Sequence, residues 1–257
     1  MSNYLTVTEI PGNKASKEQI GRLFHRYHFA MSFCHDKDVL EVACGAGMGL
    51  GYLETVARKI VGGDIEEEIL SIPTRYYQQR SRIEIRRIDA QDLPFEDNSF
   101  DVVLLFEAIY YLPRPERFIE ESFRVLRAGG KLIIGSVNRE WSDFNPSPFS
   151  HKYFSIPEIF QILRLKYSDI QFSGAFFAEP DSLKAKGVSL IKRFAVRLHL
   201  MPKTMKGKEL LKRLFFGGLV PIPPEIVEDM AEYVPPIPLS KETTSPKYKV
   251  IYAVAGK

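Results

Sequence analysis

The chain has little cysteine, a single tryptophan, almost no net charge and no long apolar run, and each shortage closes a class of function. Among 257 residues only Cys34 and Cys44 are cysteines, in no CxxC arrangement, so neither a disulfide framework nor a cysteine zinc site is available. A reducing cytoplasm is the expected compartment. Lysines and arginines number 35 against 32 acids, a formal +3 that is too slight over the whole chain to demand a nucleic-acid partner. The longest uncharged apolar run, about residues 214–224, holds three prolines and falls short of the ~20 residues a bilayer-crossing helix needs. Residues 1–15 mix polar side chains with Pro11 and Gly12 and show no apolar core behind positive charge, so no secretory signal is expected. A hydrophobic content of 45% suffices for a large core.

What is present is an alternation of strand and helix. Ile20, Leu23, Phe24, Tyr27 and Met31 recur at three and four positions, the period of an amphipathic helix over residues 15–33. Strands are expected at 38–43, 59–63, 82–88, 100–106 and 131–137, with helices at 50–58, 66–80 and 115–127 between them. A helix opened by Ser155, a sixth strand at 170–177 and a last strand at 248–254 follow. Such alternation predicts a Rossmann-like, doubly wound α/β fold. The expected sheet has seven strands, mostly parallel, with the last antiparallel and a helical insert between strands six and seven. One domain over 1–257 is expected, comprising an N-terminal helical cap (1–36), a cofactor-binding core (37–178), a basic helical insert (179–246) and a final strand (247–257).

The first strand runs into Cys44-Gly-Ala-Gly-Met-Gly49, a turn in which glycine tolerates positive φ and lets backbone approach a ligand. Alone it also fits a dinucleotide fingerprint or a packing turn. Three carboxylates sharpen the reading. Glu41 precedes the turn; Asp64 closes the second strand, where a carboxylate can accept both hydroxyl protons of a ribose; Asp89 closes the third, positioned for an adenine amino group.

The segments Val39-Leu-Glu-Val-Ala-Cys-Gly-Ala-Gly47, Val61-Gly-Gly-Asp64, Asp89-Ala-Gln-Asp-Leu-Pro-Phe95, Phe100-Asp-Val-Val103 and Arg124-Val-Leu-Arg-Ala-Gly-Gly-Lys131 resemble, in order and spacing, the successive motifs of class I S-adenosylmethionine-dependent methyltransferases. The sequence departs from the family at Ala43, usually glycine, and at Ala128, usually proline. The resemblance implies S-adenosyl-L-methionine as cofactor. It places Glu41 near the methionine amino group and Ala43, Gly45 and Gly47 under the methionyl and ribose parts. Asp64 falls on the ribose hydroxyls, Ile65 against adenine, and Asp89, Ala90 and Gln91 on the adenine edge. Phe106 and Glu107 would flank the methionyl end and face the acceptor. Tyr27 and Arg26 would close over the cofactor from the N-terminal helix, whose other reading is a plain cover for the sheet. A dinucleotide enzyme would want a third glycine three residues after Gly47, whereas Gly49 is two away.

The acceptor is read less sharply. Methyl transfer from a sulfonium is an in-line displacement that rewards alignment, and a base is added where the nucleophile must lose a proton. Candidates are Glu107, Tyr111 and His151, with Tyr110 and Tyr111 also readable as pocket walls. Asn145-Pro-Ser-Pro-Phe149 invites comparison with the motif of base-amine methylases. It follows the fifth strand rather than the fourth, so it reads instead as a rigid lid, with Trp141, Phe144, Phe149 and Tyr153 as apolar walls. Residues 184–213 hold ten lysines and arginines against Glu209 alone. That stretch fits an acceptor-side cap, a membrane-surface patch, an anionic-acceptor site or a homodimer contact. The expected function is methylation of a small-molecule acceptor, foremost O-methylation of a sugar, lipid-linked glycan or secondary metabolite. Alternatives are N- or C-methylation and a non-catalytic cofactor-binding module. No metal and no nucleic-acid partner is expected.

Overall fold

The computed structural model describes residue 4 and residues 7–147, 149–178 and 218–257, so the basic stretch at 184–213 lies outside the described residues. After a two-residue strand β1 (Lys14–Ala15), Ser16 opens helix α1 (Lys17–Cys34). The Ser16 hydroxyl accepts from the Gln19 N–H, and the Gln19 side chain accepts from the Ser16 N–H in return, which satisfies two donors the first turn would otherwise leave open. Leu23, Phe24, Tyr27 and Ala30 form its buried stripe.

Five parallel strands follow: β2 (Asp38–Val42), β3 (Lys59–Asp64), β4 (Ile83–Arg87), β5 (Phe100–Phe106) and β6 (Leu126–Val137). Helices α2 (Leu50–Glu54), α3 (Glu67–Tyr76) and α4 (Pro115–Val125) make the crossovers. Helix α5 (Ile156–Leu163) starts at Ser155 through a second reciprocal cap with Glu158. It leads to β7 (Asp169–Phe177), and after β8 (Val220–Pro221) and β9 (Ile237–Leu239) the last strand, β10 (Tyr248–Gly256), inserts antiparallel between β6 and β7. The spatial order is β4-β3-β2-β5-β6-β10-β7-β9.

Successive side chains of a strand point to opposite faces, and β5 shows the result. Val103 and Leu105 pack with Phe118, Ile119 and Ile134 on one side, and Leu104 and Phe106 with Leu23, Tyr27 and Ile133 on the other. Both faces are covered, as a parallel sheet requires. Truncating fully buried Leu104 to alanine would cost about 2–5 kcal/mol, because transfer and cavity terms add.

The expected sheet gains one strand. β9 pairs antiparallel with β7 as an eighth, edge strand; its three residues centre on Pro238, which cannot donate to a ladder and masks a strand in sequence. The described part of the expected helical insert, residues 218–246, contains β8 and β9 and no helix. β8 instead pairs with β1 in a small separate sheet. Helix α3 is shorter than expected, with Pro73 inside it and the chain turning at Tyr77 towards β4. From β2 the chain moves outward to β3 and β4, then returns to β5 on the other flank of β2. Ligands of such sheets bind at that reversal, beyond the carboxyl ends of the strands.

Candidate cofactor and acceptor site

A cavity of about 570 Å³ opens at that reversal, within the range of small-molecule sites. At its base Ala43 adopts φ +56°, a left-handed conformation that costs an L-residue roughly 1–2 kcal/mol. The turn then folds back on β3. The Gly45 N–H donates to Asp64 Oδ2 at 2.9 Å and the Glu66 N–H to Asp64 Oδ1 at 3.0 Å, which fixes the carboxylate while each oxygen keeps a further lone pair. Burial raises the Asp64 pKa.

Gly49 lets α1 join the site. A Cβ there would fall 2.0 Å from the Tyr27 ring, so the missing side chain admits Tyr27 over the turn. The Tyr27 hydroxyl donates to Glu41 Oε1 at 2.7 Å. Glu41 Oε2 is buried without a partner, and burial pushes the Glu41 pKa up to about 7. One turn of the same helix supplies Arg26, whose Nη2 donates to Glu9 at 2.7 Å and whose Nε is likewise buried and unpartnered. Glu41 and Arg26 lie within electrostatic reach of each other. Glu41 and Arg26, both lining the cavity, thus carry an orphan carboxylate oxygen and an orphan guanidinium N–H. That pair suits the ammonium and carboxylate of an amino-acid zwitterion, the end group S-adenosylmethionine would present.

Ile65, Asp89, Ala90 and Gln91 line the far end. Asp89 Oδ1 accepts from the Gln91 N–H at 2.8 Å, and Ile65 is 46% exposed, an apolar face open to a planar ring.

The other half of the cavity is lined by Arg22 of α1, by Phe106 at the end of β5 and Glu107 just past it, by Tyr110 and Tyr111, and by Tyr252 of β10. Glu107 also takes a left-handed φ of +53°. It accepts from the Tyr110 hydroxyl at 2.9 Å, and burial raises its pKa against the opposing pull of Arg26 and Tyr110. Tyr153 stacks on Tyr110 with ring centroids 4.1 Å apart, and the Tyr111 hydroxyl lies 2.6 Å from Ser147 Oγ. The loop that reads as a lid therefore backs the two tyrosines. Trp141, Phe144, Phe149 and Tyr153 do not themselves line the cavity.

Of the residues singled out in the sequence, Tyr27, Glu41, Ala43, Gly45, Asp64, Ile65, Asp89, Ala90, Gln91, Phe106, Glu107 and Tyr111 meet around this one cavity. Two do not. Gly47 turns the chain behind it: a Cβ there would sit 2.7 Å from Pro73 Cβ, and its carbonyl accepts from the Tyr77 hydroxyl at 2.9 Å. His151 is exposed and lines a separate groove, beyond Leu112 and Pro113, which border both spaces. Its N–H donates to the Tyr110 carbonyl at 2.8 Å, which holds that segment on the outer side of the tyrosine. Sequence reasoning missed Thr8 and Glu9 of the N-terminal segment, Arg22, and Tyr252. The i,i+4 pair Arg22–Arg26 beside Tyr27 was the available signal for the helix.

Residues 40–134 match the family model of a methyltransferase domain. A protein of Mycolicibacterium smegmatis named "Probable S-adenosylmethionine-dependent methyltransferase" is 33% identical over 173 residues, 63% of this chain and 62% of that protein. Phthiotriol/phenolphthiotriol dimycocerosates methyltransferase 1 of Mycobacterium ulcerans is 39% identical over 113 residues, 43% of this chain and 39% of that protein. The chain thus spans less than two thirds of the length of these curated relatives. Among solved structures, a SAM-dependent methyltransferase of Thermotoga maritima shares the fold, with a TM-score of 0.57 at 19% identity over 93% of this chain and 95% of that one. Strand order, cavity placement and the matched segment agree: residues 40–134 match a methyltransferase domain, and the sheet that carries them has the Rossmann-like α/β fold.

Proposed function

We propose that the chain transfers a methyl group from S-adenosylmethionine to a hydroxyl of a small molecule, foremost a sugar, a lipid-linked glycan or another secondary metabolite. The observation that carries this reading is that Glu41 and Arg26, each with a buried polar atom left without a partner, line the same cavity as the buried carboxylate of Glu107. Glu41 and Arg26 would hold the methionyl end, Asp64 the ribose, and Ile65 with Asp89, Ala90 and Gln91 the adenine. When bound, the cofactor supplies a sulfonium methyl with sulfur as leaving group.

An alcohol attacks well only if its proton leaves, and Glu107 is the group placed to take it. A raised pKa makes its carboxylate a stronger base than one in water, and Tyr110 occupies only one of its oxygens. Burial raises the pKa of Tyr111, so Tyr111 remains a neutral hydroxyl against the acceptor. His151 stands outside the chamber and takes no part in this scheme. Two sources support a lipid-linked acceptor: the relatives named for phthiotriol dimycocerosates, and the basic stretch 184–213 in the sequence.

The test feeds the full-length protein with methyl-labelled S-adenosylmethionine and separate lipid, glycan and polar extracts, and identifies the labelled product by mass spectrometry and NMR. A methyl ether is the expected product. Tight cofactor binding without turnover in any fraction would leave a cofactor-binding module, and label on nitrogen or carbon would overturn the hydroxyl reading.

A further inference from the structure

Residues 7–13 form a strap beside the cavity, and Val7, Thr8 and Glu9 of that strap line it. Its far end is tied to the body of the protein. The Gly12 N–H donates to the Ile222 carbonyl and the Ile222 N–H to the Asn13 carbonyl, each at 2.8 Å, where the chain enters β1 and pairs with β8. Its near end rests on the glycine turn: a Cβ on Gly45 would come within 3.0 Å of Thr8 Cγ2. Between these anchors Glu9 places Oε2 2.7 Å from Nη2 of Arg26, the cavity-lining cation of α1. The Glu9 side chain is 34% exposed and that of Arg26 14%.

A guanidinium grips a carboxylate best with two parallel N–H bonds, made either by Nε with Nη2 or by Nη1 with Nη2. Both forks occur in this protein. Arg58 holds Asp38, and Arg124 holds Glu121, through Nε and Nη2, whereas Arg80 holds Glu225 through Nη1 and Nη2. At Arg26 the fork is unfinished. Nε is buried without a partner, so the edge left for a two-point grip is Nη1 with Nη2, and Glu9 stands on Nη2. Glu41 and Glu107, both buried, already act on the same cation through charge. A further carboxylate brought to Arg26 would meet three like charges around one guanidinium. Glu9 is the one of the three that can turn to water.

We infer that Glu9 is an internal competitor for Arg26, which fills the place of the cofactor's carboxylate in the empty protein and is displaced when the cofactor binds. This rests on the reading above in which Arg26 holds the methionyl end. The strap keeps Glu9 at a high effective concentration beside its target, so it weakens every ligand that needs Arg26 and returns to Arg26 as that ligand leaves. S-adenosylhomocysteine, the product, carries the same carboxylate as the cofactor, so its release is eased. A ligand without the carboxylate leaves Glu9 where it is.

Calorimetry on the full chain tests this with S-adenosylhomocysteine and 5′-methylthioadenosine, which keeps the nucleoside thioether and lacks the amino-acid end. Glu9→Gln, whose neutral amide is the weaker acceptor, should tighten S-adenosylhomocysteine about fivefold to thirtyfold, one charge-assisted bond discounted for the exposure of Glu9. Glu9→Ala should tighten it at least as much. Both variants should leave 5′-methylthioadenosine within roughly twofold of wild type, and in an Arg26→Gln background Glu9→Gln should change neither ligand. Unchanged or weaker S-adenosylhomocysteine binding in Glu9→Gln overturns the inference, because Glu9 then only steadies Arg26. Equal tightening of both ligands overturns it as well, because Glu9 is then a steric obstacle and no competitor. If Arg26→Gln keeps the wild-type preference for S-adenosylhomocysteine over 5′-methylthioadenosine, the assignment of Arg26 to the methionyl end falls first and the inference with it.

Discussion

The proposed cofactor half of the cavity is drawn mostly from residues 41–91, consecutive strand ends and the turns that follow them, closed by Arg26 and Tyr27 of α1, whereas the proposed acceptor half gathers Arg22 from α1, Glu107 and Tyr110 past β5, and Tyr252 from β10. In the first, backbone does much of the work: the Gly45 and Glu66 N–H groups fix Asp64, and left-handed φ at Ala43 and Gly45 shapes the floor. In the second, side chains do it, through the Glu107–Tyr110 bond, the Tyr111–Ser147 contact and the His25–Tyr252 pair. A backbone-built site holds a fixed ligand and tolerates little change. A side-chain-built site can be retuned one residue at a time, so the two halves should answer differently to mutation.

The sharpest separation should come from Glu107→Gln. The variant keeps the shape and a hydrogen bond to Tyr110 but cannot take a proton, so turnover should fall about 10²- to 10⁴-fold. Cofactor affinity, measured by calorimetry, should stay within roughly threefold. A loss in affinity as large as the loss in turnover would merge the two halves and remove Glu107 from the chemistry.

Asp64→Ala should do the reverse. On the proposed assignment two charge-assisted bonds to the ribose hydroxyls, each about 1.5 kcal/mol or more, are lost, and affinity should weaken by about 100-fold. The turn loosens as well, because Gly45 and Glu66 lose their acceptor. Unchanged affinity, or a preference of the wild type for a nicotinamide cofactor, would break the assignment of this half.

That asymmetry explains what could be read from the sequence. Glu41, Asp64 and Asp89 each sit at a strand end, where burial pattern and a following turn locate them, so short-range patterning sufficed. Tyr252 and His25 come together over 227 positions of sequence, through the antiparallel insertion of β10 beside β6. No local pattern carries that. His151 looked like the acceptor-side histidine because its loop follows β6, yet Leu112 and Pro113 stand between it and the chamber. β9 was hidden by Pro238, and Glu9 becomes visible only through its ion pair with Arg26, 17 positions away.

Glu41 ties the cofactor half to pH. Its pKa rises from 4.5 to about 7 on folding, so between those values the folded chain holds a proton that the unfolded chain has released. Stability of the cofactor-free protein is therefore fully present below about 4.5 and is lost as pH rises through about 7. The loss amounts to about 3 kcal/mol. Cofactor binding should show the opposite slope, since an ammonium prefers the carboxylate: affinity should climb about tenfold per pH unit below 7 and level off above it. Melting curves with and without S-adenosylhomocysteine should diverge as pH rises from 5 to 7. Glu41→Gln should flatten both slopes, and a wild type with no slope would disconnect Glu41 from the amino group.

The smallest effect concerns the floor itself, at the one place where the sequence departs from the family glycine. Ala43 holds φ +56° with a Cβ attached, a strain of roughly 1–2 kcal/mol. Glycine removes that strain, but its freer unfolded chain takes back about 0.5–1 kcal/mol. Ala43→Gly should therefore stabilise the protein by about 0.5–1 kcal/mol, a melting shift of about 1–4 °C for a chain of this size, with cofactor affinity unchanged. The neighbouring glycines should behave oppositely. Gly45→Ala meets Thr8 Cγ2 at 3.0 Å at φ +56°, and Gly47→Ala meets Pro73 Cβ at 2.7 Å at φ +69°, so each should destabilise, Gly47→Ala more. Only Gly45→Ala should also weaken cofactor binding directly, because Gly45 faces the cavity and Gly47 does not. If Ala43→Gly instead lowers the melting temperature, the left-handed turn is not the conformation Ala43 adopts in solution, and the backbone-built half is less rigid than its hydrogen bonds to Asp64 require.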